Sequence, residues 1–234
     1  MSDPAGGATA QAAPPLTPAA AEVMRTIHGT DIYAGFTPTR PLDLQGWNGL
    51  HPALVQAVEA SKPRLALDIG VWKGQSTAFL AEAMRRVRPD SALISIDTFL
   101  GSHEHWNRDR PDRIMESIGL VHGWPSLYWQ FLSNMVLSGH AERVVPLAQT
   151  SDNAAVILAR LRLHPELVHI DAAHEYDPVR RDIENYWALL KPGGILIGDD
   201  YPWPGVKKAA DEFAAKHGLE MKVENPKWII RKPA

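Results

Sequence analysis

From Lys62 onward, short apolar runs alternate with longer segments whose apolar residues recur at helical spacing. Arg64–Gly70 (RLALDIG), Ala92–Asp97 (ALISID), Arg143–Leu147, Leu167–Asp171 (LVHID) and Ile195–Asp199 read as buried strands. Between them Gln75–Val87 places Phe79, Leu80, Ala83, Met84 and Val87 on one face, and Ser151–Arg162, Pro178–Leu190 and Val206–His217 read as helices. Lys191-Pro192-Gly193-Gly194 stops the Pro178 helix. Leu219–Val223 and Lys227–Arg231, joined by Glu224-Asn225-Pro226, read as a hairpin. Repeated strand–helix units predict an α/β fold: a mainly parallel sheet covered on both faces, with one antiparallel strand added at the end.

The remaining chain is less regular. Residues 1–16 are rich in Ala, Pro and Gly and are expected as a flexible tail. Residues 17–61 are expected as a helical cap, with helices over Thr17–His28 and Asn48–Ser61 and Trp47 as an anchor between them. Residues 62–234 form the main domain, interrupted at 99–140 by an irregular, aromatic-rich insertion in which Ser126–Leu137 is helical. An insertion of that length suggests a lid.

Composition narrows the function. With 45% hydrophobic residues the chain can build a core, and a net charge of −3 argues against a broad nucleic-acid-binding face. The absence of cysteine removes disulfides, thiolate metal sites and a cysteine nucleophile. No apolar run approaches the roughly 20 residues of a membrane span, and the N-terminus lacks a basic-then-apolar signal pattern, so a cytoplasmic enzyme is expected.

Asp68-Ile69-Gly70-Val71-Trp72-Lys73-Gly74-Gln75-Ser76 joins the first strand to its helix. In such sheets ligands bind beyond the carboxyl ends of the strands, where the strand order reverses. Gly70 permits a sharp turn, and the helix start offers free N–H groups to an anion. Asp97 ends the next strand, where an acidic residue grips the two hydroxyls of a ribose. The combination favours a nucleoside-containing cofactor over the plainer reading, in which Gly70 and Gly74 only make a tight turn and Asp97 is a cap. The pattern is not the dinucleotide G-x-G-x-x-G, because Trp72 and Lys73 fill the turn.

A second constellation is acidic. Asp171 ends the fourth strand, and Asp199 and Asp200 end the fifth. If those strands are neighbours, about 4.8 Å apart, three carboxylates meet at the edge that carries Gly70. Three hard oxygen donors favour Mg²⁺, then Mn²⁺ or Ca²⁺, which would offset their repulsion. The other reading is a polar strand end with one aspartate capping the next helix, a path that Pro202 and Pro204 interrupt. His174, three residues after Asp171, lies where it could take a proton from a hydroxyl near neutral pH. His169, inside its strand, reads as structural, and His103 and His105 as lid residues or a second metal pair.

LALDIGVWKGQST, ISIDTFLGS, HIDAAHEYDPVRRDIENYWALLKPGG and ILIGDDYPWPGVKKAADEF, in this order and spacing, resemble class I S-adenosylmethionine-dependent methyltransferases. More narrowly, they resemble the metal-dependent O-methyltransferases of natural-product sugars, of the macrocin and mycinamicin type. The resemblance spans about Lys62 to Arg231 and implies a Rossmann-like sheet of seven strands, the last antiparallel. It implies that Asp68, Gly70, Gly74, Ser76 and Asp171 surround the amino-acid end of S-adenosylmethionine. Asp97 and Thr98 then meet its ribose, and Gln149, Thr150 and Ser151 its adenine. Asp171, Asp199 and Asp200 match magnesium or manganese ligands, and His174 the general base. Some relatives place an acidic residue where this chain has Ala173.

The expected acceptor is a hydroxyl of a small sugar or phenolic natural product, in a pocket walled by Trp106, Trp129, Tyr201 and Trp203. A homo-oligomer is compatible with the Trp-rich stretches. Two other readings stay open: a nucleotide-cofactor oxidoreductase, and a methyltransferase-like module that binds without turnover.

Overall fold

The computed structural model describes residues 13–234; of the expected tail, residues 1–12 lie outside the described residues. Seven strands form one sheet in the order β3-β2-β1-β4-β5-β7-β6. They are β1 (Leu65–Ile69), β2 (Ala92–Asp97), β3 (Val144–Ala148), β4 (Leu167–Ile170), β5 (Ile195–Gly198), β6 (Met221–Glu224) and β7 (Lys227–Arg231). The first five run parallel, and β7 pairs antiparallel with both β5 and β6. β1, β4 and β5 are buried along their whole length, which explains their unbroken apolar runs.

Helices α3 (Gln75–Val87), α6 (Ser151–Arg160), α7 (Tyr176–Leu189) and α8 (Pro204–His217) connect the strands. α8 begins two residues before the sequence reading placed it. Pro204 sits in its first turn, where the missing N–H has no helical partner to lose, so the proline starts this helix rather than obstructing it. Pro52 does the same for α2 (Pro52–Ser61), four residues after the expected start. Its first turn is capped by the His51 ring, which accepts from Ala53 N–H at 3.2 Å. The 99–140 insertion is more ordered than expected. It holds a 3₁₀ turn at His103–Trp106 and helices α4 (Ile114–Ile118) and α5 (Leu127–Leu137).

The N-terminal helices share the domain core. Ala19, Ala20, Val23 and Met24 of α1 (Pro18–His28), and Leu54, Ala57 and Val58 of α2, belong to the same buried cluster as the sheet. α1 packs on β2 and β3, and α2 on α3.

Candidate active site

The strand order places β1 between β2 and β4, so connections leave its carboxyl end in opposite directions. A crevice at this point is a geometric consequence. Here it is a chamber of about 570 Å³, in the range of small-molecule sites. Gly70 forms its floor with φ +83°, and a Cβ there would overlap the Asp171 main chain. Only glycine lets β1 and the β4 exit pass this closely.

On the β2 side, the Asp97 carboxylate borders the chamber and braces the glycine turn. Its Oδ2 accepts from Trp72 N–H at 2.9 Å and its Oδ1 from Phe99 N–H at 2.7 Å. Burial pushes its pKa up, and those N–H groups pull the other way. Thr98, Gln149, Thr150 and Ser151 line the same wall, Thr150 also capping α6. Ser76 borders the chamber, but its hydroxyl donates to Asp68 Oδ2 at 2.9 Å. Asp68 is completely enclosed behind the turn and also accepts from Thr77 at 2.7 Å. Gly74 faces Met135 and Phe131, away from the chamber.

On the β4–β5 side the conditional expectation of neighbouring strands holds: Ile170 pairs with Gly198, which brings Asp171, Asp199 and Asp200 to one edge. All three border a small recess of about 10 Å³, room for one water or one bare ion. Each carboxylate has a different setting. Asp199 Oδ1 accepts from Asp200 N–H at 2.8 Å. Its Oδ2 is enclosed, 2.7 Å from the Lys227 ammonium, without an aligned hydrogen bond. Asp200, at φ +58°, turns its Oδ2 to His174 Nε2 at 2.9 Å. Asp171 has its pKa pushed well up by burial and by Asp199 beside it. Among the described residues no group of three His, Asp or Glu side chains is gathered closely enough to hold a metal ion.

His174 connects the acidic edge to the insertion. Its hydrogen bond to Asp200 raises its pKa, burial opposes, and Glu104 Oε1 lies 3.4 Å from Nδ1. The Trp203 ring stacks on the imidazole at 4.6 Å and also borders the chamber. The other three aromatic acceptor-pocket candidates lie elsewhere, Trp129 stacked on Phe36 at 6.5 Å. Tyr201 donates to Asp211 at 2.8 Å beneath α8, and Trp106 donates to the Leu100 carbonyl at 2.9 Å on the insertion surface.

Several chamber residues carried no clear sequence signal. Trp47 and Asn48 form a wall together with Trp72 and His105. The rings of Trp72 and His105 meet at 4.3 Å, and Trp47 stacks on His105 at 5.9 Å. This wall is held by Lys73, buried in the turn, which binds Asp43 at 2.7 Å and Gln45 at 2.8 Å. Gly49 packs so tightly on α3 that a Cβ would stand 2.8 Å from Ser76 N. A lysine between two turn glycines is the one readable trace of this clamp.

A family model described as a methyltransferase domain matches residues 67–201, more than half of the chain. The chain belongs to this methyltransferase family. The matched span runs from β1 through the glycine turn and Asp97 to Asp171, Asp199 and Asp200. Among proteins of curated function none matches this methyltransferase chain. Solved structures share its fold at low identity. The calicheamicin methyltransferase CalS11 aligns with TM-score 0.57 and 18% identity over 98% of this chain and 99% of its own. The O-methyltransferase TomG from Streptomyces achromogenes, involved in tomaymycin synthesis and solved in complex with SAM, aligns with TM-score 0.55 and 17% identity over 93% and 90%. An O-methyltransferase from Bacillus cereus in complex with SAH aligns with TM-score 0.56 and 15% identity over 90% and 91%. No helix among the described residues is long and apolar enough to cross a membrane.

Proposed function

We propose that this methyltransferase moves the methyl group of S-adenosylmethionine to a hydroxyl oxygen of a small sugar or phenolic molecule in the cytoplasm. The observation that carries the reading is His174 Nε2 facing the Asp200 carboxylate at 2.9 Å on the chamber edge opposite Asp97. The residue proposed as proton acceptor and the carboxylate proposed to meet the ribose thus line one cavity. The names of the TomG and CalS11 neighbours support the same class of reaction.

The cofactor fits the residues present. Gly70 borders the chamber without a side chain, Asp97 borders it from the strand end expected to meet the ribose, and Gln149–Ser151 line the expected adenine wall. The expected magnesium or manganese does not fit the residues as they stand: among the described residues no three His, Asp or Glu side chains are gathered closely enough to hold it, and Asp199 already meets the Lys227 ammonium through Oδ2 and the Asp200 N–H through Oδ1.

The chain's own part is positional and acid–base. The acceptor hydroxyl takes the place of Asp200 at His174 Nε2 and gives up its proton there. The oxygen attacks the methyl carbon in line; the O–CH₃ bond forms, the S–CH₃ bond breaks, and the sulfonium becomes a neutral thioether. Trp203, stacked on the imidazole, holds the ring in plane and keeps water from one face. The test is calorimetric titration with S-adenosylhomocysteine, with and without Mg²⁺, on wild type and Asp97→Ala, followed by a screen of hydroxylated acceptors. Binding lost in the variant is expected. No binding by wild type overturns the reading. In the screen, His174→Ala is expected to lose about 10²–10⁴ in kcat with unchanged S-adenosylhomocysteine affinity.

A further inference from the structure

One buried carboxyl at the chamber wall has no part in the chemistry above. Asp182 stands in the middle of α7 and is 3% exposed, yet it borders the chamber together with Ser151 and Pro178. Among the described residues no ammonium, guanidinium or N–H is paired with it. The adjacent Arg181 lies 3.6 Å from Asp152, and the Asn185 amide donates to Asp152 at 3.0 Å. Tyr186 gives its hydroxyl proton to the Ser151 carbonyl at 2.9 Å. The polar group beside Asp182 is the Ser151 hydroxyl, which has one proton to give, whereas a carboxylate has room for about four donors. The carboxyl is not sealed off as Asp199 Oδ2 is, so its unmet acceptor capacity opens on the chamber. Burial lifts its pKa to about 6, and at neutral pH the fold therefore carries a charge there that destabilises it. A donor on a bound molecule would offset that cost.

The neighbours of Asp182 indicate which donor. Ser151, with Gln149 and Thr150, lines the end of the chamber expected to meet the adenine. Gln149 Oε1 already accepts from the Asn153 amide at 3.4 Å. Of the polar groups of S-adenosylmethionine, the ribose hydroxyls belong to Asp97 and the amino-acid end to the glycine turn. The 6-amino group of the adenine is the N–H donor left for this wall. We propose that Asp182 is a binding and specificity-determining residue for the methyl donor, accepting a hydrogen bond from that 6-amino group. This rests on the methyl-donor reading above. A carboxylate only accepts, so it selects a purine with N–H₂ at C6 and rejects one with a carbonyl there, where two acceptors would face each other without a proton.

The test is calorimetric titration of the full chain at pH 7.5 with S-adenosylhomocysteine and with S-inosylhomocysteine, which carries a carbonyl in place of the 6-amino group. Wild type is expected to prefer S-adenosylhomocysteine by about tenfold or more, the scale of one hydrogen bond to a charged group. Asp182→Ala removes the acceptor, and Asp182→Asn can turn either its oxygen or its N–H₂ to the purine; each is expected to bring the preference below about threefold. A smaller wild-type preference, or variants that keep the preference while both probes weaken in parallel, makes Asp182 structural and overturns the proposal, leaving the methyl-donor reading standing. Should Asp182→Ala fail to fold, Asp182→Asn decides alone, because removing the buried charge stabilises the chain at this pH. Wild type that binds neither probe overturns both readings.

Discussion

Asp182 shows what one buried side chain can do to stability. It sits on α7 at 3% exposure, against Ser151 and close to Tyr186 at the chamber wall, and burial lifts its pKa to about 6. Its ordinary value is 3.8, so the folded state holds this proton more tightly than the unfolded state does. The stabilising effect is present below pH 4 and is lost as the pH rises through 6. The full effect is about 2–3 kcal/mol. Asp182→Asn is therefore expected to flatten the denaturant-measured stability of wild type between pH 4 and 6, and to be the more stable protein at pH 7.5. Gly70 is the opposite case, a residue whose lack of a side chain matters. Gly70→Ala drives a methyl into the Asp171 main chain at a positive φ. It is expected to lower the melting temperature and to abolish S-adenosylhomocysteine binding in a calorimeter, because the turn and the β4 exit can no longer pass each other.

Two elements do more than their sequence suggests. β7 reads as a terminal edge addition, yet Trp228 is buried against Gly198, where a Cβ would collide with its ring. Trp228→Ala should cost about 3–5 kcal/mol in urea unfolding, the range for a deleted core aromatic. The stretch around the expected anchor Trp47 forms one side of the chamber, clamped by Lys73 and by Asn134, whose amide donates to the Asp43 and Lys73 carbonyls at 2.6 and 2.8 Å. Lys73→Met is expected to cost about 1–2 kcal/mol of stability. It should also speed proteolysis near residues 40–50 and weaken S-adenosylhomocysteine binding by up to about tenfold. Unchanged cleavage and affinity would show that the segment holds its place without the clamp.

For the whole molecule, the N-terminal helices are part of the packing of the sheet domain. α1 and α2 fill the same core as the sheet, and Thr17 bonds the Ser91 carbonyl at 2.9 Å and, through its N–H, the Glu142 carbonyl at 2.8 Å. Deleting residues 1–61 uncovers the faces of α3, β2 and β3 on which those helices rest. The remaining chain is expected to show no cooperative thermal transition, although it keeps the whole matched methyltransferase span.

The chain's own order of residues was enough for the strand–helix alternation, the glycine turn, Asp97 at its strand end, and Asp171, Asp199 and Asp200 each at the end of a strand. Those features are local: an apolar run, a glycine and a charge at the end of a run depend on neighbours a few positions away. Strand order was not legible in the local pattern; the structure supplied it. Tertiary structure alone decided which charges meet. Lys227 reaches Asp199 across 28 positions and His169 across 58, and Lys73 reaches Asp43 across 30. Nothing in local pattern distinguishes a lysine that will be buried from one that stays in water, because its partner is supplied by another strand. The same holds for Trp47, Trp72 and His105, three rings from three segments that become one wall only when the sheet has brought those segments together.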